Sequence, residues 1–130
     1  MKQTIRSLLQ KHLIDLGKFN TAWEGVNTIP KLPYQSVYLN VSTSDTGAIS
    51  NKPHALDAGF LQVTLFYALG SGTKAIEDRA TSIRNHFYGK SFLKDGVQVV
   101  IHTPPVIGGA LTVDDKLAVP VTINFKAYEL

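Results

Sequence analysis

Cysteine is absent from the 130 residues of this sequence, which excludes a disulfide framework, thiolate metal sites and a cysteine nucleophile. Long apolar runs are missing too: no stretch approaches the ~20 apolar residues that cross a bilayer, so we expect no membrane partner. Polar residues from Arg6 onward interrupt the start of the chain, and we expect no signal peptide. Runs of like charge are also lacking, and a net charge of +3 spread along the chain is unlike the basic patch of a dedicated nucleic-acid binder.

What remains has an ordinary globular composition, with 44% hydrophobic and 18% charged residues. The length suffices for one domain and not for two, so we expect residues 1–130 to form a single domain. A domain of this size buries roughly two-thirds of the surface that its unfolded chain exposes, so it can hold a core without disulfides or metal ions.

Two segments have helical periodicity. Apolar side chains recur at three- and four-residue spacing over residues 3–16 and again over residues 73–88. Gly17 and Gly89 stand where a helix commonly ends. Each predicted helix has one apolar face, which favours packing of both on the same side of a sheet.

Most other apolar segments alternate with period two and predict strands. The Asp95-Gly96 pair predicts a tight hairpin turn, and Pro120 predicts an edge position or a bulge in the last strand. We therefore expect an α+β fold with the order α-β-β-β-α-β-β-β, in which one mostly antiparallel or mixed sheet carries both helices on one face. The predicted strands cover residues 21–26, 34–41, 60–67, 92–93, 97–101 and 117–128.

The sheet face opposite the helices is predicted to carry polar residues such as Gln62 and Thr64, and to meet either water or a partner. Several aromatic residues on the strands could instead form a stacking platform for bases. Strand alternation does not gather them on one face with basic residues, so we expect them in the core. They are Tyr34, Tyr38, Phe60, Phe66 and Tyr67.

Two segments are rich in polar and glycine residues and predict long loops, residues 42–57 and residues 106–116. The first is either a mobile excursion or an arm that contacts a neighbouring molecule, and the sequence leaves both interpretations open. Its candidate partner-binding residues are Ser44, Asp45, Asn51, Lys52 and His54.

One turn has a possible link to catalysis. The run Gly70-Ser71-Gly72-Thr73-Lys74-Ala75 fits a loose dinucleotide-binding fingerprint and opens a helix. The strand before it alternates polar and apolar residues, whereas a central parallel strand is usually apolar on both faces. The acidic residue about 20 positions on lies in the Asp95 hairpin turn and not after a parallel strand. A strand-to-helix turn is the better interpretation.

Nothing else in the sequence nominates a catalytic, cofactor or metal site. No serine stands in the G-x-S-x-G pattern of a hydrolase nucleophile, and no histidines have the spacing of metal ligands on a helix. His12 and His86 are expected to be packing or surface residues, and Asp114-Asp115 to be turn residues. We expect no catalytic residue, no cofactor and no metal, and therefore no enzyme.

The landmarks, in their order and spacing, resemble the bacteriophage tail terminator family of small minor tail or head–tail joining proteins. The resemblance covers nearly the whole chain, although residues 56–58 depart from a pattern that is often richer in Gly and Thr. Its elements, apart from the two helices, are Ala22-Trp23-Glu24-Gly25-Val26, Pro33-Tyr34, Val37-Tyr38-Leu39, Gly59-Phe60-Leu61-Gln62-Val63, Ile83-Arg84-Asn85-His86-Phe87, the 97–101 strand, Pro104-Pro105 and Val119-Pro120-Val121-Thr122-Ile123.

This resemblance implies a structural protein that forms a ring, typically of six copies, on the finished tail tube. The ring would stop tube polymerisation and offer a joining surface to the head–tail connector, while DNA passes through it without sequence-specific binding. The protein would lie at the head-proximal end of the virion tail, and in the host cytoplasm during assembly. The alternatives are a small nucleotide- or phosphate-binding enzyme that uses the Gly70–Ala75 turn, and an assembly adaptor that forms no ring.

Overall fold

Two helices and eight strands make up the part of the chain that the computed structural model describes, residues 1–46 and 55–130, with side chains for 1–41 and 56–130. The helices confirm the predicted ones, with bounds that differ by one residue at each end. The elements are α1 Lys2–Asp15, β1 Thr21–Ala22, β2 Tyr34–Thr46, β3 Ala55–Ala68, α2 Lys74–Phe87, β4 Ser91–Lys94, β5 Val97–Val100, β6 Val106–Ile107, β7 Leu111–Val113 and β8 Lys116–Glu129.

The strands form one mixed sheet in the order β1-β2-β3-β8-β5-β4, and the short strands β6 and β7 also pair with β8. Only the β1–β2 pair is parallel among the described pairs. The predicted α+β class is confirmed, but the order of elements gains two strands. Both added strands lie in residues 106–116, so the prediction of one continuous loop there was wrong.

Both helices bury one apolar stripe against the same sheet face. α1 buries Ile5, Leu9 and Leu13, which are spaced four residues apart and so lie on one face. α2 buries its own stripe of four residues from Ile76 to Phe87. The sheet supplies alternate residues of its central strands to this core, since successive strand side chains point to opposite faces. These include Val37, Leu39, Leu61, Val63, Leu65, Val119, Val121 and Ile123.

The β2–β3 hairpin is longer than the sequence predicts. The two strands pair from Tyr34↔Phe66 as far as Thr46↔Ala55. Residues 42–46 and 55–57 are therefore strand and not loop, and the prediction of a loop over 42–57 was wrong at both ends. Residues 47–54, which join the strands, lie outside the described residues.

A register shift between Val41 and Thr43 bends this hairpin. Gly59 lies opposite Val41, and a Cβ at Gly59 would overlap the carbonyl oxygen of Asn40 and press on the Cα of Val41. The partners are backbone atoms, which cannot swing aside as a flexible side chain can. The bulge therefore requires glycine at position 59.

Pro120 lies within β8, a central strand, so the prediction of an edge position for this proline was wrong. Its carbonyl oxygen accepts the N–H of Gly108 at 2.8 Å. Because a strand residue directs its nitrogen and its carbonyl oxygen to the same side, the Pro120 nitrogen faces the interruption between β6 and β7. At this interruption no strand hydrogen bond requires an N–H from residue 120, so proline fits there without loss.

Candidate functional site

Aromatic side chains gather on the sheet face that the helices leave uncovered. Tyr34 and Phe66 are cross-strand partners whose ring centroids lie 4.9 Å apart, and the Tyr38 and Phe60 centroids lie 6.3 Å apart. Tyr38 is 51% exposed. Tyr67 is the exception, because it lies on the core side, where it packs against the buried residues. The prediction that strand alternation scatters these aromatics was wrong for Tyr34, Tyr38, Phe60 and Phe66, which share one face, but Tyr34 is nevertheless buried, at 7% exposed.

Aliphatic side chains continue this outer sheet face across β6 and β7. Val106 pairs with Thr122, and Leu111 pairs with Ala118, both at outward positions of β8. Val106 is 58% exposed and Leu111 is 59% exposed. Isolated exposed apolar residues are common, but a continuous set on one face indicates a contact surface.

The charged side chains described on the strands of the outer sheet face are lysines. Lys116 lies above the Tyr34 ring, with its Nζ 6.0 Å from the ring centroid, and Lys126 lines a groove of about 290 Å³ beside Phe60 and His102. Among the side chains that the structure describes, the strand register places no carboxylate on this face. The surface thus combines exposed apolar side chains with the polar Gln62, Thr64 and Thr122 of the central strands and with two lysines.

Along the outer edge of β2, a side chain forms the backbone hydrogen bond that a neighbouring strand would otherwise form. β1 ends at Ala22, opposite Ser36, so β2 loses its strand neighbour beyond that point. There Glu24 Oε1 accepts the N–H of Leu39 at 2.8 Å and a hydrogen bond from Arg6 Nη1 at 2.8 Å. Partial burial, the largest single effect, raises the pKa of Glu24, but the two hydrogen bonds and the charges of Arg6 and Lys2 together hold the pKa below its ordinary value.

This contact gives Trp23-Glu24-Gly25 a structural role that the sequence did not reveal. Trp23 packs against the core, Glu24 covers the strand edge, and Gly25 turns the chain with φ 81°. No local pattern identifies the Leu39 N–H as the partner of Glu24, since the two residues lie on separate elements. The role depends on the tertiary fold.

The predicted partner-binding residues divide into two groups. Ser44 pairs with Asp57 and Asp45 pairs with Leu56, so both lie on the distal half of the β2–β3 hairpin. The other three, Asn51, Lys52 and His54, lie outside the described residues.

Two side chains of the Gly70–Ala75 turn form polar contacts with nearby residues of the chain. Ser71 Oγ donates to the carbonyl oxygen of Ala68 at 2.7 Å, and Lys74 Nζ forms an ion pair with Asp78 at 2.7 Å. The strand before the turn, β3, is antiparallel to both of its neighbours. A dinucleotide site is built on parallel strands, so this setting favours a plain strand-to-helix turn.

A guanidinium group lies half-buried between α2 and the sheet. Arg79 Nη2 donates to the Gln35 side-chain oxygen at 3.1 Å, and the guanidinium carbon lies 4.2 Å from the Phe19 ring centroid. Arg79 Nε has no hydrogen-bond partner within the described residues. Burial lowers the pKa of Arg79, and nearby Tyr67 opposes that effect. These contacts hold the side chains of Arg79, Gln35 and Phe19 in place. They do not bring reactive groups together as a catalytic site would.

Among the side chains of residues 1–41 and 56–130, no three of His, Cys, Asp or Glu group closely enough to hold a metal ion. No helix in these ranges has both the length and the apolar character needed to span a bilayer.

Comparison with known proteins identifies the family. A family model described as "Phage tail terminator protein" matches residues 4–125. A solved structure without a descriptive name has a TM-score of 0.79 and 21% identity to this chain, over 98% of this chain and 95% of the other, which establishes a shared fold. No curated protein matches in sequence. The family match covers nearly all of the chain, and the chain therefore belongs to the phage tail terminator protein family, whose members are structural components of the phage tail.

Proposed function

We propose that this chain forms a closed ring, six copies in the family's usual arrangement, that caps the phage tail tube. The ring stops tube polymerisation and presents a joining surface to the head–tail connector. The whole chain, residues 1–130, acts as one terminator domain without catalytic activity or cofactor. The observation that carries this proposal is the uncovered outer sheet face on a chain that matches the terminator family over residues 4–125.

A ring of identical subunits needs two different surfaces that fit each other, because a head-to-tail contact closes by rotation. The first surface is the outer sheet face around Tyr38 and Leu111. The second is the segment from the distal part of β2 to the residue before β3, with Ser44, Asp45, Asn51, Lys52 and His54 as its contact residues. In this arrangement the hairpin of one copy lies on the outer sheet face of the next.

The other partners follow from the position of the ring. One face contacts the tail tube protein and the other contacts the connector, while DNA passes through the central opening. The modest net charge of +3, without a basic cluster in the sequence, suits passage of DNA without sequence-specific binding. The protein is then part of the virion tail at its head-proximal end, assembled in the host cytoplasm.

A polymerisation assay tests the capping function. Purified protein is added to growing tail tubes, and tube length and tube ends are measured by negative-stain electron microscopy. We expect growth to stop, with a ring at one end of each tube. Growth that continues unchanged at molar excess contradicts the proposal.

A matched pair of variants locates the ring contact. Tyr38→Asp places a charge on the outer sheet face, and Thr81→Asp places the same charge on the exposed side of α2. Capping and ring formation should be lost in the first variant and kept in the second. Equal behaviour of the two variants would mean that the outer sheet face is not the contact.

A further inference from the structure

Two histidines from different helices stack face to face. The ring of His12 on α1 and the ring of His86 on α2 have centroids 3.7 Å apart and planes inclined by only 5°. Phe87 and Phe92 pack around the His12 ring with centroids 4.8 Å away. The pair thus joins the two helices at a partly buried, aromatic site.

The hydrogen bonds of the pair are reciprocal. His12 Nε2 lies 2.7 Å from the backbone carbonyl oxygen of His86, and His86 Nε2 lies 2.6 Å from the backbone carbonyl oxygen of His12. A carbonyl oxygen only accepts, so both Nε2 atoms must carry hydrogen and donate. In the neutral rings the Nδ1 atoms are then the ones without hydrogen, and acid adds its protons there.

Protonation of both rings would place two cations 3.7 Å apart. The charged groups that act on His12 are His86 across the stack, Lys90 after α2 and Asp15 on α1. Burial, as the largest effect, lowers the pKa of His12, and repulsion from His86 and Lys90 adds to it, while the hydrogen bond to His86 and the charge of Asp15 oppose it.

We propose that the His12–His86 pair is an acid-sensitive latch that holds α1 to α2 and loosens when its rings take up protons. The consequence reaches beyond the helices, because α1 also carries Arg6, which holds Glu24 at the β2 edge. Loosening α1 in acid therefore weakens the cover of that edge.

The sign of the pH dependence follows from the direction of the pKa shift. The folded chain binds fewer protons at His12 than the unfolded chain does when the pH falls through the ordinary histidine value of 6.5. The contribution of His12 to the stability of the fold is complete above that pH. It is lost as the pH falls toward the lowered pKa that His12 has in the folded chain. Each extra proton bound on unfolding changes the folded-to-unfolded ratio by about tenfold per pH unit.

Titration of the wild-type chain by NMR is the first test and needs no variant. The Cε1–H resonance of the His12 ring should shift with a midpoint below the ordinary histidine value of 6.5. If His12 instead titrates at that ordinary value, the latch is ruled out.

Variants separate a latch from a simple packing contact. Gln at position 12 can still donate to the His86 carbonyl oxygen but does not titrate, so His12→Gln should flatten the dependence of unfolding on pH between 5.5 and 7.5. His102→Gln is the control and should keep the wild-type slope. His86→Gln repeats the test if His12→Gln does not fold. A wild-type slope in both latch variants overturns the proposal.

Hydrogen exchange then reports where the chain opens. Protection of α1 amides, corrected for intrinsic exchange, should fall between pH 7.5 and 5.5 in the wild type and stay constant in His12→Gln. Constant α1 protection in the wild type would show that protons do not release the helix.

Discussion

Glu24 takes the place of a neighbouring strand for Leu39. Its Oε1 accepts the Leu39 N–H at 2.8 Å, just beyond the point where the two-residue strand β1 ends. The same oxygen accepts from Arg6 of α1. One carboxylate thus satisfies a strand edge and ties it to the first helix. Exposed strand edges invite unwanted pairing, and a charged side chain is a common means of preventing it.

Replacement of Glu24 should separate the two roles of its carboxylate. Glu24→Ala leaves the Leu39 N–H and Arg6 without their acceptor and should lower the free energy of unfolding by about 1 kcal/mol. Glu24→Gln keeps an acceptor for Leu39 and should cost less. Urea denaturation measures both, with Glu129→Ala, an exposed residue, as the control. Equal losses for Ala and Gln would show that the Leu39 contact contributes nothing.

The Glu24 contact should also weaken in acid. The pKa of Glu24 is lowered in the folded chain, so its contribution is complete above the ordinary value of 4.5 and is lost as the pH falls through the lowered value. Glu24→Gln should therefore reduce the acid sensitivity of unfolding below pH 4.5, separately from the histidine pair at higher pH. An unchanged acid limb in this variant contradicts the assignment.

Gly59 should tolerate no side chain. Gly59→Ala forces a methyl group into the Asn40 carbonyl oxygen, and we expect a loss of ~3 kcal/mol and a fall in Tm of about 10 °C. Gly109 is the matched control, because a Cβ there meets no atom within 4 Å. Gly109→Ala should change stability by less than ~0.5 kcal/mol. Differential scanning calorimetry compares the two, and a similar Tm for both would contradict the described bulge.

Arg79 and Gln35 should be energetically coupled. The Gln35 side chain is 1% exposed and gives its oxygen to Arg79 Nη2. Removal of either partner by Arg79→Met or Gln35→Met leaves a polar group without its hydrogen bond, so the double variant should lose about 1 kcal/mol less than the sum of the singles. The exposed Lys74–Asp78 pair should show no resolvable coupling in a parallel cycle. Additive losses for Arg79 and Gln35 would mean that their contact is not stabilising.

Local periodicity predicted the helices and the central strands well, because α1, α2 and β3 each carry a regular apolar pattern. The extension of β2 through residues 42–46 was missed because a run of Ser, Thr and Asp is typical of loops, while strand pairing with β3 depends on distant residues. The outer position of Tyr38 and Phe60 was missed because large aromatics usually mark the core.

The two contacts that tie α1 and the β2 edge into the fold join residues far apart in sequence. His12 and His86 are separated by 74 positions, and Glu24 and Leu39 by 15. Each residue alone looks ordinary, and only the packing of α1 and α2 on the sheet brings the partners together. A single sequence carries no pattern that reports such pairs.

Native mass spectrometry of the purified chain, alone and with tail tube protein, tests ring formation most directly. We predict one closed species of fixed stoichiometry, six copies, that disappears in Tyr38→Asp and persists in Thr81→Asp. A chain that stays monomeric at every concentration, with and without tube protein, would contradict the proposed ring.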